Sequence, residues 1–320
     1  MNLKTMRTSF QGVLLALICQ TALCSQGEDF DLNHLPKDKE ELSATTQRML
    51  ATGEEFAYRT SDQAQKLWVF RPKGLKSDEL RPCVFLIHGG GWGGSPSSLA
   101  PQCIYLARRG VVAVTIHFRR PSKKMGVSPR DCLADCLSAY RCVKRYGERH
   151  NIDPNRIVVS GGSAGAHLSL AMVTISGCDH PADDRSLPID PKALILFNPA
   201  IDLVEGWQGG VKKCKAHGID PAKFSPAHFV KPGLPPTLIL SGGKDKIIPP
   251  SLIENFMRRM KSHHNECSFV EYPDADHAFF NYGKLSNLYF HQTMAEVERF
   301  LRELGYIEAA KKARKGEKKP

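Results

Sequence analysis

The sequence predicts an α/β fold in a single domain, with a mostly parallel central sheet flanked by helices. Three observations carry that prediction. Short continuous apolar runs at 83–87, 111–116, 157–159, 193–197 and 237–240 have the composition of strands buried on both faces. Helix-compatible segments lie between them at 97–109, 129–146, 164–172 and 251–260, and strands alternating with helices imply parallel pairing. At 320 residues and 42% hydrophobic content, the chain can bury one large core.

Lys4 and Arg7, the apolar run 12–18 and the small residues around Ala22 and Cys24 have the order of a secretory signal peptide spanning 1–24. Secreted or periplasmic localisation is therefore expected, and the apolar stretch is too short to span a bilayer. A polar lead-in follows at 25–52, with a helix expected at 42–49. The segments 55–59 and 66–71 read as a hairpin at a sheet edge, opening a catalytic domain at 53–307. Strands at 111–116, 193–197, 237–240 and 268–272 and a closing helix at 288–304 complete it. Residues 199–235, interrupted by Gly and Pro, read as an irregular insertion over a cleft. The tail at 308–320 carries a net charge of +4 within a chain total of +11, so the basic balance is substantially a property of a solvated end. No nucleic-acid partner is expected, and no motif specifies an oligomeric state.

Eight cysteines follow residue 24, from Cys83 to Cys267, an even number that permits disulfides without requiring them. No Cys-x-x-Cys pair occurs. His263, His264 and Cys267 invite a metal reading, but 262–266 reads as a solvated turn after a helix, so no metal site is assigned.

The chemistry concentrates at 156–170. There an apolar strand breaks into Gly161-Gly162-Ser163-Ala164-Gly165 and resumes as a helix. The flanking glycines permit a turn tight enough to push the Ser163 hydroxyl out of the sheet, which suits a nucleophile. A serine hydroxyl needs a histidine to take its proton and an acid to orient that histidine. His277 follows the strand ending near Tyr272, and Asp245 follows the strand 237–240, in the chain order Ser, Asp, His. Asp202 and Asp276 are the alternative acids, and Asp276 is disfavoured because adjacent side chains usually point apart.

The strand 83–87 opens into His88-Gly89-Gly90-Gly91-Trp92. Amides of Gly90 and Gly91, with Gly89 as a substitute, and of Ala164 at the unpaired start of the elbow helix are the candidate donors for a developing oxyanion. Trp92 is assigned to substrate binding, with packing beneath the cleft as the alternative. His88 is expected to brace its loop, and His167 to pack inside its helix. No Lys-Ser or Lys-Thr follows the glycines, which argues against a phosphate-binding loop.

This constellation resembles the α/β-hydrolase superfamily, specifically esterases of the hormone-sensitive-lipase-like and feruloyl or acetyl-xylan-esterase-like groups. The resemblance covers about 55–304 and rests on His88-Gly89-Gly90-Gly91-Trp92, Gly161-Gly162-Ser163-Ala164-Gly165, Asp245 and His277. The chain departs from it at Gly162, where those families place an acidic residue, and at His117-Phe118-Arg119-Arg120, where they place Tyr-Arg. The resemblance implies a cofactor-free serine carboxylesterase whose substrate is an ester, with small acyl groups on polysaccharide as the substrate class. A lipase or peptidase of the same fold and a catalytically silent binding protein are the rival readings.

Overall fold

The computed structural model describes residues 29–59 and 65–308. The expected export segment at 1–24, the turn at 60–64 and all but the first residue of the expected tail lie outside the described residues. Eight strands form one sheet: β1 (Glu54–Arg59), β2 (Gln65–Phe70), β3 (Arg81–Ile87), β4 (Val112–Ile116), β5 (Ile152–Gly162), β6 (Ala193–Phe197), β7 (Thr237–Gly242) and β8 (Cys267–Tyr272). Their spatial order is β1-β2-β4-β3-β5-β6-β7-β8. The β1–β2 and β2–β4 pairs are antiparallel and place the expected hairpin at one edge, while every pair from β4 to β8 is parallel.

The helices are α1 (Lys39–Leu50), α2 (Ala100–Ala107), α3 (Pro129–Tyr146), α4 (Ala164–Thr174), α5 (Gln208–Ala216), α6 (Pro250–Ser262) and α7 (Leu288–Glu303). The two-residue period of a strand divides the core between the two faces of the sheet. Cys83, Phe85 and Ile87 of β3 join Leu133, Leu168 and Phe256 of α3, α4 and α6 on one face. Val84 and Leu86 join Met49, Leu106 and Met294 of α1, α2 and α7 on the other. All eight described cysteines are free; six are buried and two half-buried, and desolvation pushes thiols such as the buried Cys214 and the half-buried Cys267 up to about 12. They act as small apolar side chains.

The insertion at 199–235 is more ordered than expected, since it contains α5. Gly209 and Gly210, poor helix formers, concealed that helix in the sequence. In the fold they let the Trp207 indole lie against its first turn, where a Cβ on Gly210 would come within 2.6 Å of the ring. Tertiary packing overrides propensity here.

Register brings three loops to one end of the sheet. Gly161 pairs with Ile87, and Gly162 with Phe197, so β3, β5 and β6 end at one level. The chain then turns at Ser163, with φ 54° and ψ −116°, and α4 starts at once. A Cβ at Gly161 would lie 2.5 Å from the Gly165 carbonyl carbon, and one at Gly165 would collide with the Ile87 carbonyl oxygen. Both positions require glycine because backbone passes where a side chain would be. At Gly162 the obstacle is a side chain, the Phe280 ring, which is 3% exposed and stacks on Phe197 with centroids 4.7 Å apart. That ring accounts for the missing acidic residue before Ser163.

We expect Gly162→Ala to cost about 1–3 kcal/mol through overpacking. Combined with Phe280→Ala, which empties the same space, it should cost less than the sum of the two single changes in a denaturant double-mutant cycle. Strict additivity would show that the ring does not set the residue at 162.

Candidate active site

Each candidate side chain stands at a strand end. Ser163 follows β5, Asp245 follows β7, and His277 follows β8 through the turn 273–276. The structure brings the three together: His277 Nε2 lies 2.8 Å from Ser163 Oγ, and His277 Nδ1 lies 2.8 Å from Asp245 Oδ2. Since a carboxylate only accepts, Nδ1–H donates to Asp245, leaving Nε2 as acceptor for the serine hydroxyl. The Asp245 side chain is wholly buried and that of His277 is 17% exposed, so the row runs from the interior to the surface.

Asp245 is held by more than the histidine. Oδ1 accepts the amides of Ile247 at 2.8 Å and Ile248 at 2.9 Å, and Oδ2 also accepts Asn198 Nδ2 at 2.9 Å. Burial is the largest single influence on its carboxyl and opposes ionisation. The bond from His277, the two amides and the histidine's charge together outweigh it, holding the carboxyl below its ordinary range. Of the alternative acids, Asp202 is buried and bonds His228 Nε2 at 2.8 Å, while Asp276 lies 3.5 Å from Lys284 Nζ. Neither faces His277 Nδ1.

The loop after β3 turns through three successive left-handed residues, Gly90, Gly91 and Trp92, with φ of 68°, 62° and 63°. A tryptophan in that region is strained, whereas glycine is not. The amides of Gly90 and Gly91 donate to no backbone oxygen among the described residues, and the loop closes instead through Gly93 and Gly94 onto the carbonyls of Gly90 and Gly89. A Cβ on Gly89 would lie 3.4 Å from Ser163 Cβ, so this loop passes directly beside the serine. Ala164 is the first residue of α4, where the amide has no partner within the helix.

Trp92 corrects the sequence-based expectation, because it does not face the cleft. Its side chain is 0% exposed, and its indole packs edge-on against His167 and Trp207 with centroids 5.2 and 4.7 Å away. The strained backbone turns the ring inward, where it supports the loop from beneath. His88 stacks on Phe118 at 4.2 Å, which gives the departure at 117–120 a structural use. Burial pushes His88 down to about 3, and burial likewise pushes His167, bonded to the Phe224 carbonyl at 2.8 Å, down to about 4. Both rings stay neutral and structural.

Sequence reasoning missed three contributors. Asn198 bonds the buried acid; its place between a strand end and Pro199 was the available signal. Lys284 Nζ donates to the carbonyl of His277 at 2.9 Å. The lead-in also matters, since the His34 carbonyl accepts Tyr282 Oη at 2.7 Å and Asn287 Nδ2 at 3.0 Å, tethering the loop after His277. These contacts join residues some 250 positions apart in sequence and leave no local pattern.

Comparison with known proteins places this geometry. The BD-FAE family description matches residues 67–260, and that of the dienelactone hydrolase family matches 216–313. The apo form of Thermogutta terrifontis esterase 2 superimposes with a TM-score of 0.75 at 35% identity, covering 81% of this chain and 97% of that one. An acetylxylan esterase of Xylanibacter ruminicola is 28% identical over 55% of this chain, and the probable carboxylic ester hydrolase LipM of Mycobacterium tuberculosis 26% identical over 78%. The chain spans 36% and 61% of the length of those two curated relatives. The eight-stranded sheet, the elbow and these matches agree: the chain belongs to the BD-FAE family, as an esterase domain of the α/β-hydrolase fold.

Proposed function

We propose that the protein is a secreted serine carboxylesterase acting on small acyl esters, acetyl or feruloyl, of polysaccharide. One observation carries the catalytic part: the unbroken hydrogen-bonded row from Ser163 Oγ through His277 to buried Asp245, with both links at 2.8 Å. His277 Nε2 takes the hydroxyl proton as Ser163 Oγ bonds to the ester carbonyl carbon. The amides of Gly90, Gly91 and Ala164 receive the negative charge on the carbonyl oxygen. Collapse expels the alcohol, which leaves with the proton from Nε2, and an acyl-Ser163 ester remains. Water, deprotonated by His277, then attacks that ester, releasing the acid and restoring the serine. Asp245 keeps the imidazole in its Nδ1–H tautomer and offsets the charge it carries between the steps.

Support for a small acyl group comes from similarity. The acetylxylan esterase relative is named for an acetylated polysaccharide, and Thermogutta terrifontis esterase 2 has been solved with propionate and with butyrate. Support for export is the basic, apolar and small-residue order of residues 1–24.

With p-nitrophenyl acetate, Ser163→Ala should lower kcat by at least about 10⁴-fold while thermal stability is kept. Equal rates would remove the mechanism. Asp245→Asn should lower kcat by about 10³–10⁴-fold, because Asn cannot offset the imidazolium and favours the wrong tautomer. Its effect on stability has a definite pH sign. A carboxyl held below its ordinary value of 3.8 contributes stability that is present above that value and lost as pH falls through the lower, folded value. The stability gap between wild type and Asp245→Asn should therefore be level above about pH 5 and shrink below about pH 4 in denaturant titrations. A gap that widens on acidification would contradict the assignment.

A further inference from the structure

Two cations stand on the loop that carries the candidate oxyanion amides. Lys213 of α5 donates from Nζ to the Gly91 carbonyl, and Arg120, just after β4, donates from Nη2 to the Gly94 carbonyl at 3.1 Å. Gly94 folds back onto Gly89 through its amide at 3.2 Å, so both charges sit over the turn 89–94 beside Ser163. Among the described residues, neither cation forms an ion pair with a carboxylate.

Lys213 is half-buried and Arg120 exposed, whereas buried and half-buried arginines elsewhere are matched with acids. Arg119, next to Arg120, has Asp135 at 2.8 Å and Asp131 at 3.5 Å, and Arg141 has Asp179 at 2.6 Å and Asp183 at 3.0 Å. At the loop, a neutral carbonyl accepts one hydrogen bond from each cation and leaves both the net charge and further N–H donors unanswered. An ammonium has three donors and a guanidinium five.

We propose that these two cations recognise a carboxylate on the alcohol side of the ester, making the substrate an acylated acidic saccharide rather than a neutral one. This rests on the esterase reading above. A small acyl group bound at the elbow leaves the larger alcohol portion to extend over the rim of the cleft. A carboxylate there meets two unpaired positive charges carried on the catalytic loop itself.

The test compares kcat/KM for 4-acetoxybenzoate and for 4-acetoxybenzamide, which share an acetyl group and differ in the charge on the alcohol side. The ratio of the two within each variant cancels changes in folding, loop position or intrinsic reactivity. Relative to wild type, Lys213→Gln and Arg120→Gln should each lower the anionic-to-neutral ratio about threefold and the double variant about tenfold. Lys213→Arg should retain most of the ratio. Lys261→Gln, an exposed charge change on α6, should leave it unaltered, and about 0.5 M salt should lower the wild-type ratio.

A double variant whose ratio stays within about twofold of wild type overturns the proposal. That outcome includes the case in which both substrates slow equally because the cations serve the oxyanion alone. A wild-type protein that hydrolyses neither ester removes the esterase reading and this inference with it. Hydrolysis of both at a ratio indifferent to the two charges removes only the inference.

Discussion

The site depends on one steric constraint, the approach of three backbones around Ser163 with no side chain between them. Gly165 sits against the Ile87 carbonyl, Gly161 against Gly165, and the Gly89 turn against the Gly162 carbonyl. The left-handed φ of Ser163 costs about 1–2 kcal/mol for a residue with a Cβ. It is held by the Ser163 amide bond to the Phe197 carbonyl at 2.8 Å and by the immediate start of α4. Strain at the serine therefore belongs to the whole parallel sheet, since moving it would require β3, β5 and β6 to separate.

Electrostatics follow from that packing. Of the histidines near the turn, His88 and His167 are fully buried and kept neutral, one stacked on Phe118 and the other tied to the Phe224 carbonyl. His277 alone among these three meets both the serine hydroxyl and a carboxylate. The acid it meets is fixed by two loop amides and Asn198, so it presents one oxygen to the imidazole in a set direction. In the proposed reaction, fixed dipoles of this kind would need no rearrangement as charge moved along the row.

Much of the fold was legible because it follows from local pattern. The buried runs of β3, β6 and β7 are unbroken apolar segments, and α3 coincides with the amphipathic stretch bounded by Ser128 and Gly147. The serine, acid and histidine were legible because each follows a strand that its composition marks, β5, β7 and β8. The helix inside the insertion was not, because α5 depends on Trp207 packing against Gly209 and Gly210, a contact that propensity counts against. Trp92 was misread because its direction is set by a left-handed φ, which composition does not encode. The replacement of an acid by Gly162 made sense only once Phe280, over a hundred residues later, was seen in its place.

The most direct measurement of the central claim is peptide mapping by mass spectrometry after brief exposure to an organophosphorus ester such as paraoxon. That compound is recorded as phosphorylating the similar Thermogutta terrifontis esterase 2. The account predicts one diethylphosphoryl group per folded chain, on Ser163, formed in wild type and absent from the unfolded protein and from the His277→Ala variant. Folded wild type that stays unmodified, or that carries the group on another residue, would contradict it.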